Sequence, residues 1–161
     1  MSRTAGASLE SLLRIARESE DVTAVRPAIM QLSYERGAEI YPLLVEKLND
    51  SNPSIQHAAA ISLGRYGRAE AIEELIKPKI FRSTYHQIRW AAVAAVGRLG
   101  DYRVVDHLLK AVEDPEWIVR TQAITELMAK VKDIIARKDI RLTRILIHMF
   151  SLDNEEIVNL A

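Results

Sequence analysis

One stretch of this chain occurs twice. Residues 57–76 read HAAAISLGRYGRAEAIEELI, and residues 90–109 read WAAVAAVGRLGDYRVVDHLL. The second is the first moved on by 33 residues, with Gly64 recurring as Gly97 and Gly67 as Gly100. Gly37 stands 30 residues before Gly67, so the phrase extends towards the N-terminus. Self-similarity at such a period marks folds in which a unit buries its apolar face only against its neighbours.

The run before each glycine pair has helical periodicity. Ile55, Ala58, Ala59, Ser62 and Leu63 follow a 3.6-residue spacing, as do Ile88, Ala91, Ala92, Ala95 and Val96. Val119, Gln122, Ala123, Glu126 and Leu127 keep much of it, and Val25, Ala28, Ile29 and Leu32 form a degenerate first copy. Pro27 is expected in the first turn of that copy, where proline is tolerated. Gly37, Gly67 and Gly100 suit the left-handed position that ends a helix. Gly64 and Gly97, three residues earlier, are expected inside their helices, where a missing side chain lets a neighbouring helix approach.

Between these helices lie others, marked by Ile40, Leu43, Leu44 and Leu48; by Ile72, Leu75 and Ile76; by Val104, Val105, Leu108, Leu109 and Val112; and by Leu142, Ile145, Leu146 and Met149. Asp50-Ser51-Asn52-Pro53 and Asp114-Pro115-Glu116 supply capping side chains and a proline that opens a helix. No strand pattern competes. The expected fold is all-α, a right-handed α-α superhelix. Residues 1–161 form one domain of about four helical hairpins, the first and last imperfect. Two stretches break the rhythm: residues 77–84, KPKIFRST, lengthen one turn, and residues 131–139, VKDIIARKD, lengthen a junction. Asp153-Asn154-Glu155-Glu156 reads as the start of a further helix that has little chain left to continue it. We therefore expect a fragment of a longer solenoid.

Composition narrows the function classes. Lys plus Arg equals Asp plus Glu at 22 each, so global charge favours neither nucleic acid nor a membrane surface. There is no cysteine, hence no disulfide framework and no thiolate ligand. The start has no apolar core of a signal peptide, and no apolar run is long enough to span a bilayer. A cytoplasmic location is the default expectation.

The spaced signature D-x-x-P-x-[IV]-[RQ]-x-x-A-[AI]-x-x-[LV]-G occurs as DSNPSIQHAAAISLG at 50–64. It recurs as YHQIRWAAVAAVG at 85–97 without its aspartate and proline, and as DPEWIVRTQAITELM at 114–128 with Met128 for glycine. Over residues 20–161 the chain resembles the HEAT repeat family, especially the short HEAT-like type of cyanobacterial phycobilin lyase subunits. The resemblance implies scaffold, adaptor or lyase-subunit roles, and in some cases DNA-repair glycosylases. It also implies a polar ladder joining the turn aspartate to an arginine early in the second helix. The matching positions are Asp50 and Asp114 with Arg89 and Arg120, and Gln56 replaces one arginine.

Nothing in the sequence names a reaction, and no residue is assigned as catalytic. His57, His86, His107 and His148 show no compact ligand spacing, so neither a metal site nor a cofactor is expected. Glu73-Glu74 and Glu155-Glu156 are helix neighbours that point apart. Residues 65–103 carry eight basic and four acidic side chains, interleaved with Tyr66, Tyr85, Trp90 and Tyr102. Cations among aromatic rings suit an acidic protein partner, a phosphate backbone or a bilin's propionates. The leading expectation is a scaffold or adaptor module that binds a protein partner on its second helices, marked by His57, Ser62, Arg65, His86, Trp90, Arg98 and Arg120. The alternatives are a subunit of a bilin chromophore lyase, with the bilin as ligand, and a nucleic-acid-binding protein. Nucleic acid is disfavoured by the zero net charge.

Overall fold

The computed structural model describes residues 8–100, 102–138, 140 and 143. Among them are nine α-helices, a short 3-10 turn at Tyr102–Val104 and no strand. The helices are α1 (Leu9–Glu18), α2 (Val22–Leu32), α3 (Ile40–Leu48), α4 (Pro53–Tyr66), α5 (Ala71–Leu75), α6 (Pro78–Phe81), α7 (His86–Leu99), α8 (Val105–Ala111) and α9 (Trp117–Ala136).

Side chains at the turns set the starts. Ser8 Oγ accepts the Ser11 amide, Asp21 Oδ1 the Thr23 amide, and Asn52 Oδ1 the Ser54 amide beside Pro53 at the first helical position. Each satisfies a donor that helix geometry leaves orphaned. Gly67 ends α4 with φ of +86°, a conformation that costs a side-chain-bearing residue 1–2 kcal/mol on the order of magnitude.

The helices stack as pairs, α1 with α2, α3 with α4, α5 and α6 with α7, and α8 with α9. The second members also pack on one another in the order α2, α4, α7, α9 and form a continuous layer. One apolar column runs through that layer: Leu32, Leu63, Val96 and Leu127, spaced by 31, 33 and 31 residues and all buried. Beside it run Ala28, Ala59, Ala92 and Ala123, small enough to let the helices approach. The arrangement is an all-α stacked solenoid, and each pair closes its core against the next.

Several local expectations are corrected. The helix expected around Ile72, Leu75 and Ile76 is α5, which ends before Pro78 as expected; the lengthened turn at 77–84 is not all irregular but holds the short helix α6. The added residues 131–139 do not form a loop as far as Ala136; they lengthen α9 to 20 residues. Pro27 lies in the second turn of α2, not the first, since Asp21 caps that helix and Val22 opens it. Gly37 and Gly100 do not adopt the left-handed conformation. Gly100 has φ of −86°; what it spares is space, because a Cβ there would collide with Val104 and lie 2.9 Å from the Val96 carbonyl oxygen. The expected helix at Leu142–Met149, His148 and the ending at 153–161 lie outside the described residues.

One tie between units had no signature in the sequence. Lys130 Nζ, on α9, donates to the carbonyl oxygens of Gly97 at 2.7 Å and Gly100 at 2.8 Å. It thus places a cation at the C-terminal end of α7, where the helix dipole favours one. Lys130→Met, which keeps the aliphatic stem, is expected to lose about 1.5–2 kcal/mol in urea unfolding. Lys130→Arg should recover part of it.

Candidate functional site

Two places on the fold gather the residues singled out above. The first is the arginine–aspartate rung. Arg89, early in α7, donates from Nε to Asp114 Oδ2 at 2.7 Å and from Nη2 to Asp114 Oδ1 at 2.8 Å. The two side chains are only 10% and 9% exposed. Arg89 Nη1 also donates to the Ser83 carbonyl at 2.7 Å, while Asp114 Oδ1 accepts the Glu116 amide at 2.9 Å. Burial pushes the Asp114 carboxyl up; Arg89, the Glu116 amide and the charge of Arg120 outweigh that and hold it below its ordinary value. The Asp114 hydrogen bond holds Arg89 above its own. This bidentate pair ties the third helix pair to the fourth.

Arg120 occupies the same position in α9 and repeats the backbone half of the pattern. Its Nη1 donates to the carbonyls of Asp114 and Pro115 at 3.0 Å each, as Arg89 does to Ser83 and Thr84. Asp50 does not join a rung: no ion pair links it to an arginine among the described residues, and its Oδ1 accepts the Asn52 amide at 2.8 Å. Two units back from Arg120, Gln56 stands where an arginine would be, and Ser83 stands where the next aspartate would be, so both ends of that rung are absent. The lengthened segment 77–84 forms α6 and lines a cleft of about 490 Å³ beside the rung, where Phe81, Arg82 and Lys110 surround Arg89 and Asp114.

The second place is a groove of about 140 Å³ between α4 and α7, lined by Ile61, Arg65, Trp90, Ala94 and Arg98 among others. Its width follows from Gly64. A Cβ on Gly64 would lie 2.8 Å from Ala95 Cβ and 2.9 Å from Ala95 Cα, so the two helix backbones are in direct contact beneath the groove. The rings of His57 and Trp90, equivalent residues on adjacent helices, are 6.3 Å apart and tilted. Burial, then the positive charge of Arg26, holds His57 below its ordinary value. The Arg65 guanidinium lies 5.7 Å from the centre of the Tyr34 ring.

The groove thus brings together Arg65, Trp90 and Arg98, with His57 alongside. The other residues expected there are placed elsewhere. Ser62 is fully buried and donates from Oγ to the Ile29 carbonyl at 3.2 Å, which joins α4 to α2 and leaves nothing for a partner. His86 is half-buried in the first turn of α7 and does not line the groove. Arg120 is engaged at the turn before α9. Tyr34 was missed by sequence reasoning. Its signal was its place 31 residues before Arg65, readable once Leu32 and Leu63 are known to be equivalent. Trp117, at the start of α9, is 60% exposed. Among the described residues no helix is long and apolar enough to cross a membrane, and no three His, Cys, Asp or Glu side chains gather as a metal site would require.

Stacked helix pairs, a continuous second-helix layer and a buried arginine–aspartate rung define an α-helical repeat protein. The chain belongs to the HEAT repeat family: the family's model, described as HEAT repeats, matches residues 9–78 and 78–161. It is 28% identical over 117 residues to phycocyanobilin lyase subunit alpha of Nostoc sp. (strain PCC 7120). That alignment covers 68% of this chain and 42% of the relative, so the chain spans less than half of it. Among solved structures it is similar to the crystal structure of an engineered protein, a Northeast Structural Genomics Consortium target. The TM-score is 0.61 at 19% identity, covering 94% of this chain and 75% of the other, a likeness of fold alone.

Proposed function

We propose that this chain is a non-catalytic binding subunit of a bilin-lyase-type assembly, and that phycocyanobilin lies against its α4–α7 groove. The observation that carries the reading is the groove itself, where Arg65 and Arg98 flank Trp90 and neither arginine has a carboxylate at ion-pair distance among the described residues. A bilin is a flat conjugated ligand with two propionates. An indole face and two guanidinium groups match both features. The relation to a phycocyanobilin lyase subunit supports the same choice of ligand.

The groove's size adds a condition. At about 140 Å³ it falls below the roughly 300 Å³ at which pockets enclose a small molecule. A bilin would therefore lie with one side open, and a second chain would supply the other wall, as a subunit's role requires. The same shallowness favours a second reading, a scaffold whose groove contacts protein and no chromophore.

Titration of phycocyanobilin with the protein is expected to change its visible absorbance in a saturable way. Arg65→Glu and Arg98→Glu should each weaken that response by about ten-fold, as loss and reversal of a contacting charge would. A spectrum that stays unchanged at an excess of the protein and its partner subunit rejects the bilin reading and leaves the scaffold.

A further inference from the structure

The charged and aromatic residues around the groove form two rows when the helix pairs are aligned on Leu32, Leu63 and Val96. Arg26, His57 and Trp90 share one position on α2, α4 and α7; Tyr34, Arg65 and Arg98 share another, eight residues on. Eight helical residues correspond to about 12 Å along α4 and α7; Tyr34 lies two residues past the end of α2. The rows are physically joined: Arg26 bears electrostatically on His57, the His57 ring meets Trp90, and Arg65 sits over Tyr34. The track therefore crosses three helices, well beyond the α4–α7 groove, and Tyr34 is 69% exposed at its far end.

Its charge is not neutralised from within. Arg17, Arg68 and Arg89 are paired with Glu39, Glu70 and Asp114. Arg26, Arg65 and Arg98 have no carboxylate at ion-pair distance among the described residues. Glu126 bears on Arg98 electrostatically, but it is half-buried against Gly97 and accepts from Gln122 Nε2 at 2.9 Å. Arg65 and Arg98 repeat on adjacent helices, and packed helices lie about 8–10 Å apart. An extended polyproline-II chain brings every third side chain to the same side, about 9 Å on.

We propose that this track docks an extended acidic segment of a partner protein, with a carboxylate at every third residue along it. The proposal rests on the α4–α7 face being the binding face, but not on a bilin being its ligand; the carboxylates take the places that bilin propionates would, so the two ligands compete for Arg65 and Arg98. Successive carboxylates meet Arg98 and Arg65, and the segment continues past Tyr34.

The test is fluorescence anisotropy with a fluorescein-labelled peptide of Glu-Pro-Ala repeats, against Gln-Pro-Ala repeats and a single-stranded oligonucleotide. The Glu-Pro-Ala peptide is expected to bind and the Gln-Pro-Ala peptide to fail. Arg65→Glu and Arg98→Glu should each weaken binding about ten-fold, and Tyr34→Ala and Arg26→Glu by about three-fold or more. Arg17→Glu, away from the track, should leave it unchanged, with circular dichroism reporting the fold of each variant. Peptide binding without a bilin response sinks the bilin reading alone; a bilin response without peptide binding sinks this proposal alone. Peptide affinity indifferent to Arg65 and Arg98, or an oligonucleotide that outcompetes the peptide with the same losses, overturns it.

Discussion

Asp114→Ala is expected to destabilise the protein by about 3–4 kcal/mol, the range for removing one partner of a buried ion pair. The cost comes from what remains. Arg89 would keep its bond to the Ser83 carbonyl but lose both bonds to carboxylate oxygens in a site that is nearly closed to water. The start of α9 would also lose the acceptor for the Glu116 amide. Asp50→Asn is the control. Asp50 stands at the matching position of the preceding signature, yet meets no arginine, and Asn can accept the Asn52 amide as well. Its effect should stay within about 0.5 kcal/mol. Urea unfolding followed by far-UV circular dichroism would read both as shifts in midpoint at constant slope. Equal effects at the two positions would show that the rung contributes nothing of its own. The pair also predicts a pH dependence. The Asp114 carboxyl is held below its ordinary value in the folded protein, so its contribution is present above about pH 4. It fades as pH falls through the lower, folded value. Asp114→Asn should therefore flatten the loss of stability on the acid side.

Gly64→Val is expected to cost about 3 kcal/mol, at the upper end for forcing atoms into a packed core. The clash is with backbone: any Cβ at Gly64 comes within 2.9 Å of Ala95 Cα, and α7 cannot rotate a side chain away to admit it. Valine adds two methyl groups and stiff branching to that contact. The helices would have to separate, which also widens the groove between Arg65 and Arg98. The matching substitution at Gly97 should be milder. There a new side chain meets the carboxyl end of Glu126, which can swing aside if its bond to Gln122 breaks. Gly97→Val is expected to cost about 1–1.5 kcal/mol, the lower end for an overpacked site. Reversed magnitudes would mean that the tight approach in this fold lies between α7 and α9 and not between α4 and α7.

Much of the architecture was legible because the repeat is written in small and apolar residues at a helical period. Ile55 to Leu63 and Ile88 to Val96 led directly to α4 and α7, and the Asn52-Pro53 junction led to the start of α4. Local chemistry suffices there: a cap, a proline and a stripe to bury. Register was harder. The first copy, Val25 to Leu32, pointed to α2, but its offset of 31 residues from α4 emerged only from which leucines are buried together. Tyr34 stayed hidden for that reason. Side chains expected at one site were also dispersed by small angles. Ser62 and Arg65 are three residues apart on one helix, and one is sealed against Ile29 while the other faces outward.

By itself the sequence determined that this chain forms stacked helix pairs, because periodic apolar stripes of this length cannot be buried within one pair. The resemblance to the family named Arg89 and Asp114 among the ladder positions, without saying which aspartate meets which arginine; the structure joins these two. Only the tertiary structure decided that Asp50 has no such partner, that Lys130 caps α7, and that Gly64 meets backbone where Gly97 meets a movable side chain. Those outcomes depend on distances between helices far apart in sequence. Such distances are set by the packing of every side chain in the layer at once, which no local pattern encodes.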